Sequence, residues 1–205
     1  MPRLNRQLSF LVLCVTLAIA GVANADKPRL YVLTDIENEP DDAMSLVRLL
    51  TYANQIDIEG LAATTSVHQQ RRTAPDRIRR IVKAYGEVRD NLEKHEPGFP
   101  TADELLDRVT EGLAVYGMQG VGAGKDSEAS NDLIQAVDRE DSRPIWVTAW
   151  GGPSVLAQAL WKVRETRTAD ELKAFIQKIR VYTISDQDDS GPWIREQFPD
   201  LFYVA

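Results

Sequence analysis

The amino-acid sequence predicts an α/β fold: a Rossmann-like, mostly parallel sheet with helices on both faces. Short apolar runs typical of strands alternate along the chain with segments whose apolar positions fit one face of a helix. Turn signals built from Gly, Pro, Asp and Ser separate these segments, and no internal repeat or low-complexity tract interrupts them. Strands that alternate with helices indicate a parallel sheet, whose ligands bind at the carboxyl ends of its strands.

Residues 29–85 are predicted to form two strand–helix units. Apolar runs predict strands over residues 29–34 and 56–65. Apolar positions that share one face predict helices over residues 41–51 and 75–85. Each predicted strand is followed by its helix, as in a parallel sheet.

Residues 86–124 are less regular. A helix over 101–112 is predicted here, because Thr101 and Glu104 form a Thr-x-x-Glu capping box. Loops that contain Pro and Gly bracket this helix, so the segment is interpreted as an insertion over one edge of the sheet.

Regular alternation returns in the last third of the chain. The predicted strands are 145–149, 180–184 and 201–204. The predicted helices are 131–137, 154–163 and 169–178.

The first 25 residues are typical of a secretory signal peptide. Arg3 and Arg6 precede an apolar run over 8–20, and Ala23-Asn24-Ala25 matches an Ala-x-Ala cleavage site. We therefore predict a signal peptide over 1–25, a domain over 26–205, and export to the periplasm or out of the cell. An uncleaved membrane anchor is the alternative, but the run is shorter than the ~20 apolar residues that a span needs.

Composition narrows the possible partners. The chain has 24 Lys and Arg against 31 Asp and Glu, a net charge of −7. A negative chain disfavours nucleic acid polymers and anionic membranes, so we expect no membrane contact after cleavage. The single cysteine, Cys14, lies in the predicted signal peptide, so the mature domain must be stabilised by its core rather than by disulfides. The sequence leaves the oligomeric state open.

Carboxylates crowd the turn after the first predicted strand. They are Asp35, Glu37, Glu39, Asp41 and Asp42. Like charges this close are costly unless a cation joins them, and Ca²⁺ takes about six to eight oxygen ligands. Pro40 and the two acids after it also suit the first turn of a helix, but that does not explain Asp35 and Glu37. The pattern therefore favours a metal or sugar site.

These residues resemble a motif of the nucleoside hydrolases, in which a strand is followed by Asp-Thr-Asp-Pro-Gly-x-Asp-Asp-Ala. Here the same register reads Asp35-Ile-Glu-Asn-Glu-Pro-Asp-Asp-Ala43. The chain is more similar still to a family of exported nucleoside hydrolase-like proteins of unknown activity, associated with polysaccharide degradation and sometimes labelled cellulose-binding. The other segments that carry this resemblance are residues 58–66, 150–152, 156–160 and 185–193.

The resemblance implies a role for each acid of the turn. Glu37 would be both a calcium ligand and the general base for the attacking water, and Asp42 a second ligand. Asp41 would hold a sugar hydroxyl. The expected metal site consists of Asp35, Glu37 and Asp42. The expected activity is hydrolysis of N-glycosyl bonds. Because the family's last calcium ligand lies in a longer domain, we expect this chain to hold only the N-terminal portion.

Two later segments have the chemistry of a sugar site. Trp150 precedes a Gly-Gly turn after strand 145–149, where the resemblance implies a backbone carbonyl ligand for calcium. The aromatic ring suits stacking on a sugar, and burial in the core is the alternative. Residues 185–193 are interpreted as a loop that offers carboxylates and an aromatic ring. The predicted contacts with a carbohydrate or small-molecule substrate are Trp150, Asp186, Asp188 and Trp193, besides Asp41.

Two other functions use the same residues. A non-catalytic carbohydrate-binding domain would keep the aromatic and polar loops without a base or a metal. A haloacid dehalogenase-type phosphatase also begins with Asp-x-Asp at a strand end, but it needs Asp where this chain has Glu37. The retention of Glu37, Asp41 and Asp42 favours the hydrolase.

Overall fold

In the computed structural model, residues 26–205 are described, and they form a six-stranded parallel sheet with helices on both faces. The strand order is β3-β2-β1-β4-β5-β6. The strands are β1 (Arg29–Thr34), β2 (Asp57–Ala63), β3 (Val109–Glu111), β4 (Ile145–Ala149), β5 (Ile179–Thr183) and β6 (Phe202–Val204). The predicted fold class is confirmed, while the predicted signal peptide lies outside the described residues.

The helices occupy the connections between strands. They are α1 (Pro40–Leu50), α2 (Pro75–Leu92), α3 (Ala102–Leu106), α4 (Glu128–Asp138), α5 (Ser154–Thr166), α6 (Ala169–Gln177) and α7 (Ser190–Gln197), with a 3₁₀ turn at Gly117–Gly120. Side chains of Thr101, Ser127 and Thr168 cap three of them, each within a capping box. Within residues 26–205, no helix combines the length and the apolar character that crossing a membrane requires.

Two predicted segments are wrong. The helix expected over 101–112 ends at Leu106, and Val109–Glu111 instead forms β3, which pairs with β2 at the edge of the sheet. The capping box starts the helix as predicted, but pairing with β2 takes the residues that follow. The loop expected over 185–193 is also shorter than predicted, because α7 begins at Ser190.

Alternation along the strands builds two cores. On β1, Tyr31 and Leu33 face one core with α4 and α5, and Val32 faces the other with α1 and α2. All of these strand residues are fully buried. The two cores pack the sheet from both sides. Because all six strands are parallel, their carboxyl ends meet at a single edge.

A buried ion pair joins the elements at the opposite, amino edge of the sheet. Arg29 is 0% exposed, and its Nε donates to Glu59 Oε1 at 2.7 Å. A second guanidinium nitrogen donates to the Ala136 carbonyl at 2.6 Å, and Arg139 also contacts Glu59. Because a buried charge is costly unless it is paired, these contacts hold β1, β2 and the end of α4 together.

We expect Glu59→Ala to lower the free energy of unfolding by about 3–5 kcal/mol, since it leaves the Arg29 guanidinium buried without its partner. The matched control is Asp76→Ala, which removes an exposed partner of Arg79 at 3.2 Å and should cost less than about 1 kcal/mol. Urea unfolding of both variants measures the difference. Equal destabilisation by the two substitutions would contradict the role given to the buried pair.

Candidate functional site

The loops that follow the central strands meet at the carboxyl edge of the sheet, as predicted for a parallel sheet. The backbone ladder continues past the strand ends: Thr64 N donates to the Thr34 carbonyl at 2.8 Å, and Trp150 N donates to the Leu33 carbonyl at 2.8 Å. Ile184 N donates to the Ala149 carbonyl at 3.2 Å. These bonds hold the residues after β1, β2, β4 and β5 beside one another.

Two buried carboxyl groups lie together directly after β1. Asp35 is 3% exposed and Asp42 8% exposed, and Asp42 accepts a hydrogen bond from the Thr34 hydroxyl. Burial raises the pKa of Asp42 to about 6, helped by the charges of Asp35 and Asp41 and opposed by the Thr34 bond. Asp35 Oδ2 is buried without a hydrogen-bond partner among the described residues. The pair therefore concentrates negative charge where water cannot reach it.

Glu37, the predicted base, lies apart from that pair. Asn38 N donates to the Asp35 carbonyl at 3.1 Å, and within this turn Glu37 has a φ of 80°, a left-handed conformation that residues other than glycine rarely adopt. Its carboxylate accepts from Arg72 Nη1 at 2.9 Å. The structure thus brings together Asp35 and Asp42 of the predicted metal site, and holds Glu37 on Arg72.

Arg72 is positioned by a buried glutamine that sequence analysis did not single out. Arg72 Nη2 donates to Gln69 Oε1 at 2.6 Å, and Gln69 Nε2 donates to the Asp35 carbonyl at 3.2 Å. Gln69 therefore ties the loop after β2 to the turn after β1. Arg72 and Glu37 are 35 residues apart in two loops, so no local pattern could have revealed their contact.

The glycine pair after β4 permits the closest approaches in the site. A Cβ on Gly151 would lie 2.8 Å from Asp35 Oδ1, and a Cβ on Gly152 would lie 2.0 Å from Asp188 Oδ2. Side chains are therefore excluded from both positions, and the turn packs between Asp35 and Asp188. Trp150, just before it, is half-buried against the core under α1, and its carbonyl accepts from the Gln187 amide at 3.1 Å.

Asp188 is a third buried carboxyl group at this edge. It is 4% exposed, and its Oδ1 accepts from the backbone N–H of Ser190 at 2.8 Å and from its hydroxyl. Its Oδ2 has no hydrogen-bond partner among residues 26–205. Burial raises the pKa of Asp188 to about 6, with Asp189 and Asp186 adding to the effect and the Ser190 bonds opposing it.

The remaining predicted substrate residues have other partners. Asp186 forms a two-bond ion pair with Arg195, both bonds 2.7 Å long, and these bonds lower the pKa of Asp186. Trp193 lies on α7, with its ring 5.7 Å from that of Phe198 and 5.5 Å from the Arg164 guanidinium. The structure does not bring Trp193 to the carboxyl pair, because α7 directs it toward α5. Asp41 is exposed at the start of α1, where Asp42 N donates to it at 3.0 Å.

The carboxyl pair has part of what a calcium ion requires. The unpartnered Asp35 oxygen beside Asp42 fits a site that a cation would neutralise. In the described part of the chain, however, no group of three or more His, Cys, Asp or Glu side chains lies close enough to hold a metal. Glu37 joins the pair as a third carboxylate only if its side chain leaves Arg72.

A separate cavity of about 630 Å³ lies at the amino edge of the sheet, beside the starts of β2 and β3. Four of its charged side chains form two ion pairs, Arg139 with Glu59 and Arg89 with Glu93. Ligands of parallel sheets bind at the other edge. The carboxyl edge, with its unpartnered acids, is therefore the stronger candidate site.

Comparisons with known proteins agree with this fold. Residues 29–205 match the family model described as cellulose-binding Sde182, nucleoside hydrolase-like domain. Four chains of solved structures match, among them a nucleoside hydrolase-related hypothetical protein from Saccharophagus degradans that is associated with carbohydrate metabolism. That structure is 45% identical, with a TM-score of 0.84, and the match covers 86% of this chain and 43% of the solved one. This chain therefore spans less than half of that protein's length. No curated protein matches it.

We expect the free energy of unfolding of Asp188→Asn to increase relative to that of the parent as the pH rises from 4 to 7. The pKa of Asp188 is about 6 in the folded protein against 3.8 for an ordinary aspartate, so the folded state holds its proton more tightly. Its contribution to stability is present below pH 4 and is lost as the pH rises through 6, by up to about 3 kcal/mol. Asparagine has no proton to lose.

Urea unfolding across this pH range, on the parent, Asp188→Asn and the exposed control Asp200→Asn, measures the effect. The control should follow the parent at every pH. A difference between Asp188→Asn and the parent that is the same at pH 4 and pH 7 would contradict the expectation.

Proposed function

The chain belongs to the family of cellulose-binding, nucleoside hydrolase-like domains, and from that premise we propose that it is an exported hydrolase of N-glycosyl bonds that acts in carbohydrate metabolism. The observation that carries the proposal is the buried pair of Asp35 and Asp42 at the end of β1, with Glu37 in the turn between them. The predicted signal peptide supports export. The family's link to carbohydrate supports a sugar substrate.

The proposed cofactor is calcium, held by Asp35 and Asp42 and, once it is free of Arg72, by Glu37. Bound there, the ion would supply positive charge that lowers the pKa of a water molecule and orients the sugar hydroxyls. The unpartnered oxygen of Asp35 supports this assignment.

Glu37 is the proposed general base. Its carboxylate would take a proton from the attacking water while the N-glycosyl bond between the sugar and the nucleobase breaks. It must first leave Arg72, and since both side chains are exposed, that ion pair is worth less than about 1 kcal/mol. Because the free energy needed to release Glu37 is small, its position in this structure is compatible with catalysis.

The sugar would be held from two sides. Asp41, exposed at the start of α1, can accept a hydrogen bond from a hydroxyl, while Trp150 and Asp188 flank the glycine turn across the edge. Asp186 and Trp193 stay outside this proposal because Arg195, Arg164 and Phe198 engage them.

A non-catalytic carbohydrate-binding domain is the second candidate. The specific observation in its favour is the ion pair between Glu37 and Arg72, which occupies the carboxylate that hydrolysis needs. Such a domain would bind cellulose or another polysaccharide and release no sugar from a nucleoside.

We expect calorimetry to detect calcium binding by the parent and a loss of affinity of about 10-fold or more in Asp42→Asn, which removes one of the two buried charges. Glu39→Gln is the matched control, since it neutralises an exposed acid of the same turn and should bind calcium like the parent. Absence of calcium binding by the parent would contradict the proposed cofactor.

Hydrolysis distinguishes the two candidate functions. A reducing-sugar assay with inosine and uridine should show release by the parent, and Glu37→Gln should lower kcat by about 10²-fold or more because the general base is gone. Glu39→Gln should retain the parental rate. Retention on a cellulose column with no sugar release from either nucleoside would instead favour the binding domain.

A further inference from the structure

A hollow of about 370 Å³ opens beside the carboxyl pair. It is shallow and open to solvent between the turn after β1 and the loop after β2, and its lining is Glu37, Asn38 and residues 68–72. We call this the arginine hollow, because Arg71 and Arg72 lie in it along with His68. Glu37 is the single acid of the lining. The chain has a net charge of −7, whereas the two arginines and one glutamate of this lining give a local positive charge beside the candidate site.

Arg72 is exposed to solvent, but a buried glutamine orients its guanidinium in the arginine hollow. Its Nη2 is held by Gln69 Oε1 at 2.6 Å, and Gln69, only 6% exposed, is bonded to the backbone of the turn. A guanidinium fixed at one nitrogen presents its others in a planar fork, the geometry that suits carboxylate and phosphate oxygens. The hollow therefore contains an arginine side chain that is already oriented to bind an anion.

Glu37 occupies this fork with a carboxylate of the chain itself. Its Oε2 lies 2.9 Å from Arg72 Nη1, and the two side chains are 37% and 57% exposed. Water and solutes reach both partners, so a dissolved anion can compete for Arg72. The internal carboxylate marks the chemistry that the hollow accepts.

We propose that the arginine hollow binds an anionic group of the substrate, a sugar carboxylate or phosphate, which displaces Glu37 from Arg72. The inference rests on the proposed function, because it takes the substrate to be the sugar held at the adjacent carboxyl pair. Its consequence is a coupling between recognition and catalysis. An anionic substrate takes the place of Glu37 on Arg72 and so keeps Glu37 released toward the carboxyl pair, whereas with a neutral sugar Glu37 exchanges between Arg72 and that pair.

The test measures binding alone, by calorimetry at low salt in a buffer free of phosphate and calcium. The probes are D-galacturonate, D-galactose and inorganic phosphate. We expect galacturonate or phosphate to bind and galactose not to bind. Arg72→Gln should lower the affinity for the anion by about 10-fold or more. Arg80→Gln, an exposed arginine of α2 outside the hollow, is the matched control and should bind like the parent.

A second variant separates an anion site from a structural ion pair. Glu37→Gln removes the internal competitor, so it should bind the anion several-fold more tightly than the parent. Stronger binding of galacturonate than of phosphate identifies a sugar acid, and the reverse order identifies a sugar phosphate. Equal binding of galactose and galacturonate, or anion binding unchanged in Arg72→Gln, overturns the proposal.

Failure of this inference is distinguishable from failure of the proposed function. Anion binding without nucleoside hydrolysis keeps the arginine hollow and removes the hydrolase. Hydrolysis of inosine or uridine, with no anion bound and no effect of Arg72→Gln, does the opposite.

Discussion

The proximity of two buried carboxyl groups, Asp35 and Asp42, is the constraint around which the carboxyl edge is built. Neither acid has an arginine or lysine within ion-pair distance among the described residues, so the cost of their charge is met in smaller ways. Thr34 donates a hydroxyl to Asp42, and burial favours the protonated form of that acid near pH 6. Gly151 allows the backbone of the turn after β4 to approach Asp35 without a side chain. Such an arrangement favours a bound proton on Asp42, and the proposed calcium site rests on the same two acids.

Glu37 connects this pair to its surroundings. Its left-handed backbone and its ion pair with Arg72 place its carboxylate outside the cluster, two residues from Asp35 along the chain. Backbone conformations of this kind cluster at functional sites, where the surrounding structure holds them in place. The same residue is a base if it can turn to the carboxyl pair and a simple surface partner if it cannot. Under the proposed function, the choice between hydrolysis and binding thus depends on the competition for Arg72.

Stability and function are assigned to opposite edges of the sheet. At the amino edge, Arg29 is fully buried yet satisfied by Glu59 and by the end of α4. At the carboxyl edge, Asp35 and Asp188 each keep an oxygen without a partner. Unsatisfied buried groups destabilise a fold, and a native structure tolerates them where a ligand completes the contacts. The two unpartnered carboxylate oxygens support the site independently of any resemblance.

The sequence by itself determined the fold class and five of the six strands, because strand and helix periodicity are local properties. Strands 29–34 and 145–149 appear at the predicted bounds, and the Thr101 capping box starts its helix. It also located the acids after β1, since they are neighbours in the chain. Only the tertiary structure decided that 109–111 joins β2 as a strand, and that a helix from Ser190 turns Trp193 toward α5. It alone decided that Glu37 meets Arg72, because partners in two loops are set by how the sheet brings distant residues together and not by their spacing along the chain.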